Sequence, residues 1–220
     1  MDLDDVTLWP PLGLSVASAG LELVWAREEL LFALARLAAG GVHDDDFMPF
    51  LTPWTRGEPA RVGRSTLQYN WGQRSKTMPG DWDLQLAVLR DGQVVGVQGI
   101  FSKHFPVTRV AETGSWLGRA FHGQGVGTRM RVLALHLLFE GLGAQAAQTA
   151  AFADNGASLG VTRKLGYREN GVAVLEREGV ATPELRFRLD RADWDSRPDW
   201  MRPEVELRGV EPVRELLGIG

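Results

Sequence analysis

The stretch "WLGRAFHGQGVGTRMRVLALHLLFEG", Trp116 to Gly141, sets Gly123, Gly125 and Gly127 on alternate positions directly ahead of an apolar run with arginines set into it. The run predicts a helix from about Val126 to Glu140, closed by "GLG". Amides at a helix start lack intrahelical partners and lie at the positive end of the helix dipole, and glycines let an anion approach them with no Cβ in the way. Such a loop suits a diphosphate; the other reading is a plain strand-to-helix turn. A dinucleotide-binding fingerprint would need a glycine three places after Gly125, where Thr128 stands, and it would follow the first strand of a parallel sheet. A nucleotide-hydrolase phosphate loop would need lysine and a hydroxyl after its last glycine, and Gly127 is followed by Thr128 and Arg129.

Working outward, "AQAAQTAAFA" predicts a strand after this helix, which makes a β-α-β unit and requires its two strands to be parallel. In "DNGASLGVTRKLGYRENG" a further helix has Asp154 or Asn155 as N-cap, Arg163 and Lys164 in its last turn, and Gly166 as its stop. "GVAVLE" and "ELRFRLD" follow as a strand pair. Upstream, "WDLQLAVLRDGQVVGVQGIFSKHF" alternates as two strands about the turn "RDGQ", and "VTRVAETGSWLG" adds a third. "LGLSV" and "LELVW" read as an early hairpin, followed by helices in "AREELLFALARLAAGG" and "RVGRSTLQYNWGQRSKT". The expected fold class is α/β, a mixed, mostly antiparallel sheet flanked by helices. Residues 1–190 are expected to form this domain, and 191–220 a proline-interrupted tail. The tail's Val205, Leu207, Val210, Leu216, Leu217 and Ile219 would suit contact with a second copy in a homo-oligomer.

The 220 residues carry a net charge of -4 with no dense basic block, which argues against nucleic-acid binding. Without cysteine there is no disulfide, thiol catalysis or thiolate metal site. The acidic start "MDLDDVTLWPPLG" has no basic region leading into an apolar one, and no run reaches membrane-spanning length, so a cytoplasmic protein without membrane contact is expected.

Residues His122, Gly123, Gln124, Gly125, Val126 and Gly127 resemble motif A of the GNAT superfamily of coenzyme A-dependent N-acyltransferases. That motif is Gln or Arg, two residues, Gly, one residue, then Gly or Ala, and His122 departs from it at the first position. "AETGSWLGRAFHGQGVGTRM" is similar to the RimJ/RimL branch, as is the second block, where Asn155, Ser158, Val161, Lys164, Leu165, Gly166 and Tyr167 fall in register with "N-x-x-S-x-x-V-x-x-K-L-G-F". The resemblance covers about Leu21 to Asp190. "GVHDDDFMPFLTPWT" and "VVGVQGIFSKHFPVTR" look closest to an actinobacterial subgroup described as succinyltransferases.

The resemblance implies that acetyl-CoA or succinyl-CoA is the co-substrate and that a primary amine, on a small molecule or a protein, attacks the thioester without a covalent enzyme intermediate. Amides from His122 to Thr128 would hold the diphosphate. A backbone N–H at Trp116 or Leu117, where the strand is expected to bulge, would meet the thioester oxygen. Ser158 would protonate or stabilise the thiolate, its other reading being a solvated hydroxyl in a first helical turn. Asn155 would combine N-cap and pantetheine contact, and Lys164 would reach the coenzyme's phosphates or, as a helix-face charge, simply be solvated. Glu112 is the candidate base, acting directly or through water; a plain strand glutamate is the alternative.

Arg129, Arg131 and Arg163 could approach phosphates or simply be solvated. His104 could share the role of base or be structural. Trp54, Tyr69 and Trp71 could wall the acceptor site, and Arg56, Arg74 or Lys103 could take a succinyl carboxylate. "HDDD", His43 to Asp46, lacks matching ligands elsewhere, so no metal is expected. Two readings from other classes stay open: a module that senses acyl-CoA without turnover, and an assembly partner acting through the tail.

Overall fold

A computed structural model describes residues 3–220; Met1 and Asp2, the start of the expected domain, lie outside the described residues. Helix α1 (Asp5–Leu8) begins at Asp4, whose carboxylate accepts from the Thr7 N–H at 2.7 Å. Strands β1 (Ser15–Ser18) and β2 (Leu21–Trp25) turn at Ala19 and Gly20, both at positive φ, the geometry that matches strand twist in a two-residue hairpin. Helices α2 (Glu28–Ala39) and α3 (Pro59–Lys76) follow, then β3 (Asp81–Arg90) and β4 (Gln93–Lys103), joined by Asp91 and Gly92 in the same turn geometry. Beyond the short α4 (Phe105–Thr108) run β5 (Val110–Leu117) and α5 (Val126–His136), which a π-type turn extends over Leu137–Gly141. The chain continues through β6 (Ala146–Phe152), α6 (Gly156–Lys164), β7 (Arg168–Arg177), β8 (Val180–Asp190), α7 (Arg191–Asp195), β9 (Glu206–Arg208) and α8 (Val210–Leu216).

All the strands join one sheet in the order β7-β8-β6-β5-β4-β3-β2-β1-β9. Every pairing is antiparallel except β5 with β6, the parallel pair that the helix between them demands. Alternation decides which face each side chain takes: Leu21, Leu23 and Trp25 of β2 and Trp82, Leu84, Leu86 and Val88 of β3 enter the main core with α5. Ala87 and Val97 face the opposite side, against Leu31 and Leu34 of α2.

The segment 191–220 departs from the expected tail. Strand β9 pairs with β1, Ala17 opposite Glu206, and Val213, Leu217 and Ile219 are buried in the main core, with Val205, Leu207 and Val210 packed against it. The fully buried Trp194 stacks on Phe139 at 5.2 Å and donates Nε1–H to Glu140 at 2.7 Å, while His136 bonds the Met201 carbonyl at 3.2 Å. This segment covers the side of α5 away from the sheet, which is why residues Met130 to Phe139 are buried all round the helix. Of the apolar residues that suggested contact with a second copy, all but the part-buried Leu216 therefore serve the chain's own core.

Candidate active site

Strands β5 and β6 pair only from Val110 opposite Ala146 to Glu112 opposite Gln148, although β5 runs on to Leu117 and β6 to Phe152. Past that point the two strands part. On its other edge β5 keeps an unshifted register with β4, from Glu112 opposite Phe101 to Leu117 opposite Gly96. The expected bulge at Trp116 and Leu117 is thus absent; the gap arises because β6 leaves. The carbonyl of Thr113 is taken from the β6 side by Thr149 and that of Gly114 from the β4 side by Gln98. Gly118 N–H donates to Val95 of β4 at 2.9 Å. Peptide groups alternate along a strand, so Trp116 points its N–H at β4 and Leu117 points its N–H into the gap.

Hydroxyls bridge the place where the ladder stops. Thr149 Oγ1 donates to the Thr113 carbonyl at 3.0 Å, and Thr113 Oγ1 to the Gln148 carbonyl at 3.2 Å. Both hydroxyls also accept from Arg131 of α5, whose Nη1 lies 3.0 Å from Thr113 and 3.2 Å from Thr149. Its Nη2 donates to Ser115 Oγ at 3.1 Å and its Nε to Gln98 Oε1 at 3.3 Å. Arg131 is 5% exposed and makes no carboxylate pair among the described residues. Tyr167 lies buried beside it, its hydroxyl without a hydrogen-bond partner. Burial pushes that phenol up, and the Arg131 charge pulls the other way.

At the mouth of the gap the chain turns into α5. Gly123 (φ 70°) and Gly125 (φ 75°) are left-handed, and a Cβ on either would meet nothing within 4 Å, so the space above them is open. Among the described residues, the N–H groups from Gly123 through Thr128 donate to no protein acceptor. A Cβ on Gly127 would come into ordinary van der Waals contact with Leu117 and Val161. His122 Nε2 bonds the Leu117 carbonyl at 3.1 Å, tying the loop to the strand end. Gln124 is held by Arg90 and by the Ala120 carbonyl, each at 2.7 Å.

Across the sheet from α5, a cavity of about 360 Å³ opens between α3, the loop before it and β3–β5. Phe50, Trp54 and Trp116 form its apolar wall, with ring centroids 5.1 and 5.7 Å apart, and Asn70, Gln85 and Ser115 are among its polar residues. Asp83 reaches this wall through Gln85 Nε2 at 2.6 Å and the Tyr69 hydroxyl at 3.5 Å; burial pushes its carboxyl up to about 6. A more polar cavity of about 420 Å³ lies by His43, Arg56 and Arg119.

The pattern of the acetyltransferase (GNAT) domain matches residues 21–168. The chain belongs to the GNAT family. It is an acyl-CoA-dependent N-acyltransferase. Its fold is similar to that of Mycobacterium smegmatis RimJ in complex with CoA-disulfide, at a TM-score of 0.67 and 21% identity over 84% of this chain and 90% of the other. A RimL ribosomal alpha-N-protein acetyltransferase in complex with coenzyme A gives 0.64 and 19% over 80% and 97%.

In this GNAT domain the expected site residues fall into separate groups. Gly123 to Thr128 form the open loop and the first turn of α5, whereas the expected His122 amide is taken by the Arg119 carbonyl at 3.2 Å; Trp116 and Leu117 end the strand beside the gap. Asn155 caps α6 by accepting from the Ser158 N–H at 3.1 Å, which places Ser158, half-buried, in the first turn. Lys164 sits at the far end of α6, about 9 Å along the axis, with its ammonium 5.4 Å from the Trp200 ring. The structure does not bring it to Ser158. Glu112 is half-buried on β5, outside the cavity lining; burial first and the Glu184 charge second raise its pKa, against Arg186.

Trp54 and Tyr69 line the cavity, whereas exposed Trp71 bonds Glu28. The arginines proposed for a carboxylate are engaged elsewhere, Arg56 with Glu178 at 2.9 Å and Arg74 with Glu28 at 2.5 Å, while Lys103 is exposed at its strand end. Arg129 is tied to the Ala19 carbonyl at 2.6 Å and Arg163 lies 3.7 Å from Glu169. His104 caps the short α4 at positive φ, and both nitrogens of His43 are hydrogen-bonded, to Asp44 and Thr55. Ser115, Gln98, Asp83 and Asn70 were not anticipated at the site. The signal for the first two was polar residues at core-facing positions of otherwise apolar strands.

Proposed function

We propose that this GNAT domain moves an acyl group from acetyl-CoA or succinyl-CoA to a primary amine in a single displacement. The observation that carries the reading is the run of unpaired amides from Gly123 to Thr128, opening at the gap between β5 and β6 with a cavity on the other side of the sheet. Those amides hold the diphosphate at the helix N-terminus. The pantetheine arm lies along the gap, beside Asn155, and brings the thioester carbonyl to the Leu117 N–H. Glu112 takes the amine proton, directly or through water, the nitrogen attacks the carbonyl carbon, and the departing thiolate is met by Ser158.

Asp83, a carboxyl facing the cavity through Tyr69 and Gln85, supports an acceptor that arrives as a cation. The volume of about 360 Å³ leaves room for an acyl chain longer than acetyl, and the hydroxyl and amide groups of Ser65, Thr66 and Asn70 support a carboxyl-bearing one such as succinyl. Thiol release from acetyl-CoA, propionyl-CoA and succinyl-CoA, each with the same set of primary amines, tests the reading. Faster release with one donor in the presence of an amine is expected. Release that no amine accelerates, with the coenzyme nonetheless bound, would favour a sensor.

A further inference from the structure

The buried cation behind the gap is a costly device if packing alone is its purpose. A guanidinium taken out of water without a counter-ion costs several kcal/mol, and an apolar side chain of similar volume would fill the space at no such cost. Arg131 is 5% exposed, sits on a helix that is otherwise apolar here, and among the described residues hydrogen-bonds only to neutral oxygens, those of Gln98, Thr113, Ser115 and Thr149. The partners differ in what they do with their own protons. Thr113 and Thr149 donate theirs to backbone carbonyls across the parting strands, so these hydroxyls are fully used. Ser115 accepts from Arg131 at 3.1 Å, which sets its hydroxyl on the α5 face of β5 beside the gap, and among the described residues it has no protein acceptor for its O–H. A hydroxyl that accepts from a cation becomes a stronger donor, because the positive charge draws electron density from its oxygen.

We infer that Ser115, polarised by Arg131, is a hydrogen-bond donor to the thioester carbonyl oxygen, acting beside the Leu117 N–H. As nitrogen attacks, the carbonyl π electrons move onto oxygen, and this donor and the charge behind it oppose that build-up; the electrons return as the C–S bond breaks and the thiol takes its proton. Ser115 is then a catalytic residue, and Arg131 a positioning residue that works through it. A preset donor in a site shielded from water stabilises developing negative charge without having to reorganise. The inference rests on the N-acyltransferase reading above.

Isotope-edited infrared spectroscopy of acetyl-CoA labelled with carbon-13 at its carbonyl, bound to the protein, tests it without an acceptor. Calorimetry first establishes that acetyl-CoA binds; absence of heat would strike at the acyl-CoA site itself and not at Ser115. In the wild type the carbonyl band is expected below its frequency in solution, and Ser115→Ala should return it most of the way. Arg131→Met should do the same, and adding it to Ser115→Ala should move the band no further. A band in Ser115→Ala identical to that of the bound wild type overturns the inference, whether or not Arg131→Met folds.

Discussion

Thr149 reaches across the parting strands to Thr113, donating to its backbone carbonyl at 3.0 Å at the first position where the β5–β6 ladder has ended. The gap is therefore a built feature, closed at its base by side chains where backbone pairing stops. Thr149→Val keeps the shape and removes the hydroxyl, leaving a buried carbonyl and an Arg131 N–H unpaired. A loss of about 1–3 kcal/mol is expected, read from urea unfolding. An unchanged midpoint would mean that the bridge adds nothing.

Ser158 stands in the first turn of α6 beside its cap Asn155. If its hydroxyl meets the leaving thiolate, Ser158→Ala lowers turnover more than tenfold with little change in affinity for the coenzyme. Steady-state kinetics together with a binding titration separate the two effects, and turnover at the wild-type level would take Ser158 out of the chemistry.

Glu112 must be ionised to accept the amine proton, and burial with the nearby Glu184 charge raises its pKa from the ordinary glutamate value. Turnover should accordingly fall as pH drops through that raised value. Glu112→Gln should lose about 10²–10⁴-fold, the typical share of a general base, and flatten the acid limb. A pH–rate profile measures both, and an acid limb that survives the substitution would assign it to another group.

Asp83 is shifted to about 6 from an ordinary 3.8, mainly by burial. The folded state thus holds this proton more tightly than the unfolded chain does. The stabilisation is full below the ordinary value and is lost as pH rises through about 6. Asp83→Asn removes that dependence, so the variant should gain in stability relative to the wild type between about pH 4 and about pH 8. Urea midpoints at the two pH values test it; parallel shifts would show that Asp83 is not held neutral by the fold.

Local patterns carried much of the fold. Asn155 as cap and Gly166 as stop define α6 at both ends, and Gly166 at φ 81° with the Tyr167 N–H bonded to Thr162 completes the stop. The hairpin at Asp91 and Gly92 was legible for the same reason, since its turn chemistry lies within the turn. Segment 191–220 was not, because its apolar residues follow no period and their partners, such as Phe139 for Trp194, lie far away in the chain. At the site, the glycine loop could be read from its spacing. Arg131 could not: an arginine in a helix usually extends to solvent, and its burial depends on hydroxyls from strands that only the folded sheet brings together.

The central claim is that the amides from Gly123 to Thr128 grip the diphosphate of coenzyme A, and calorimetric titration of coenzyme A into the wild type and Gly125→Ala tests it most directly. Gly125 holds φ 75° with open space above it. Alanine there costs about 1–2 kcal/mol in the left-handed conformation and would swing the following amides away. The account predicts binding to the wild type and affinity at least tenfold weaker in the variant, with the fold intact by circular dichroism. No heat with the wild type, or equal affinity in both proteins, would contradict it.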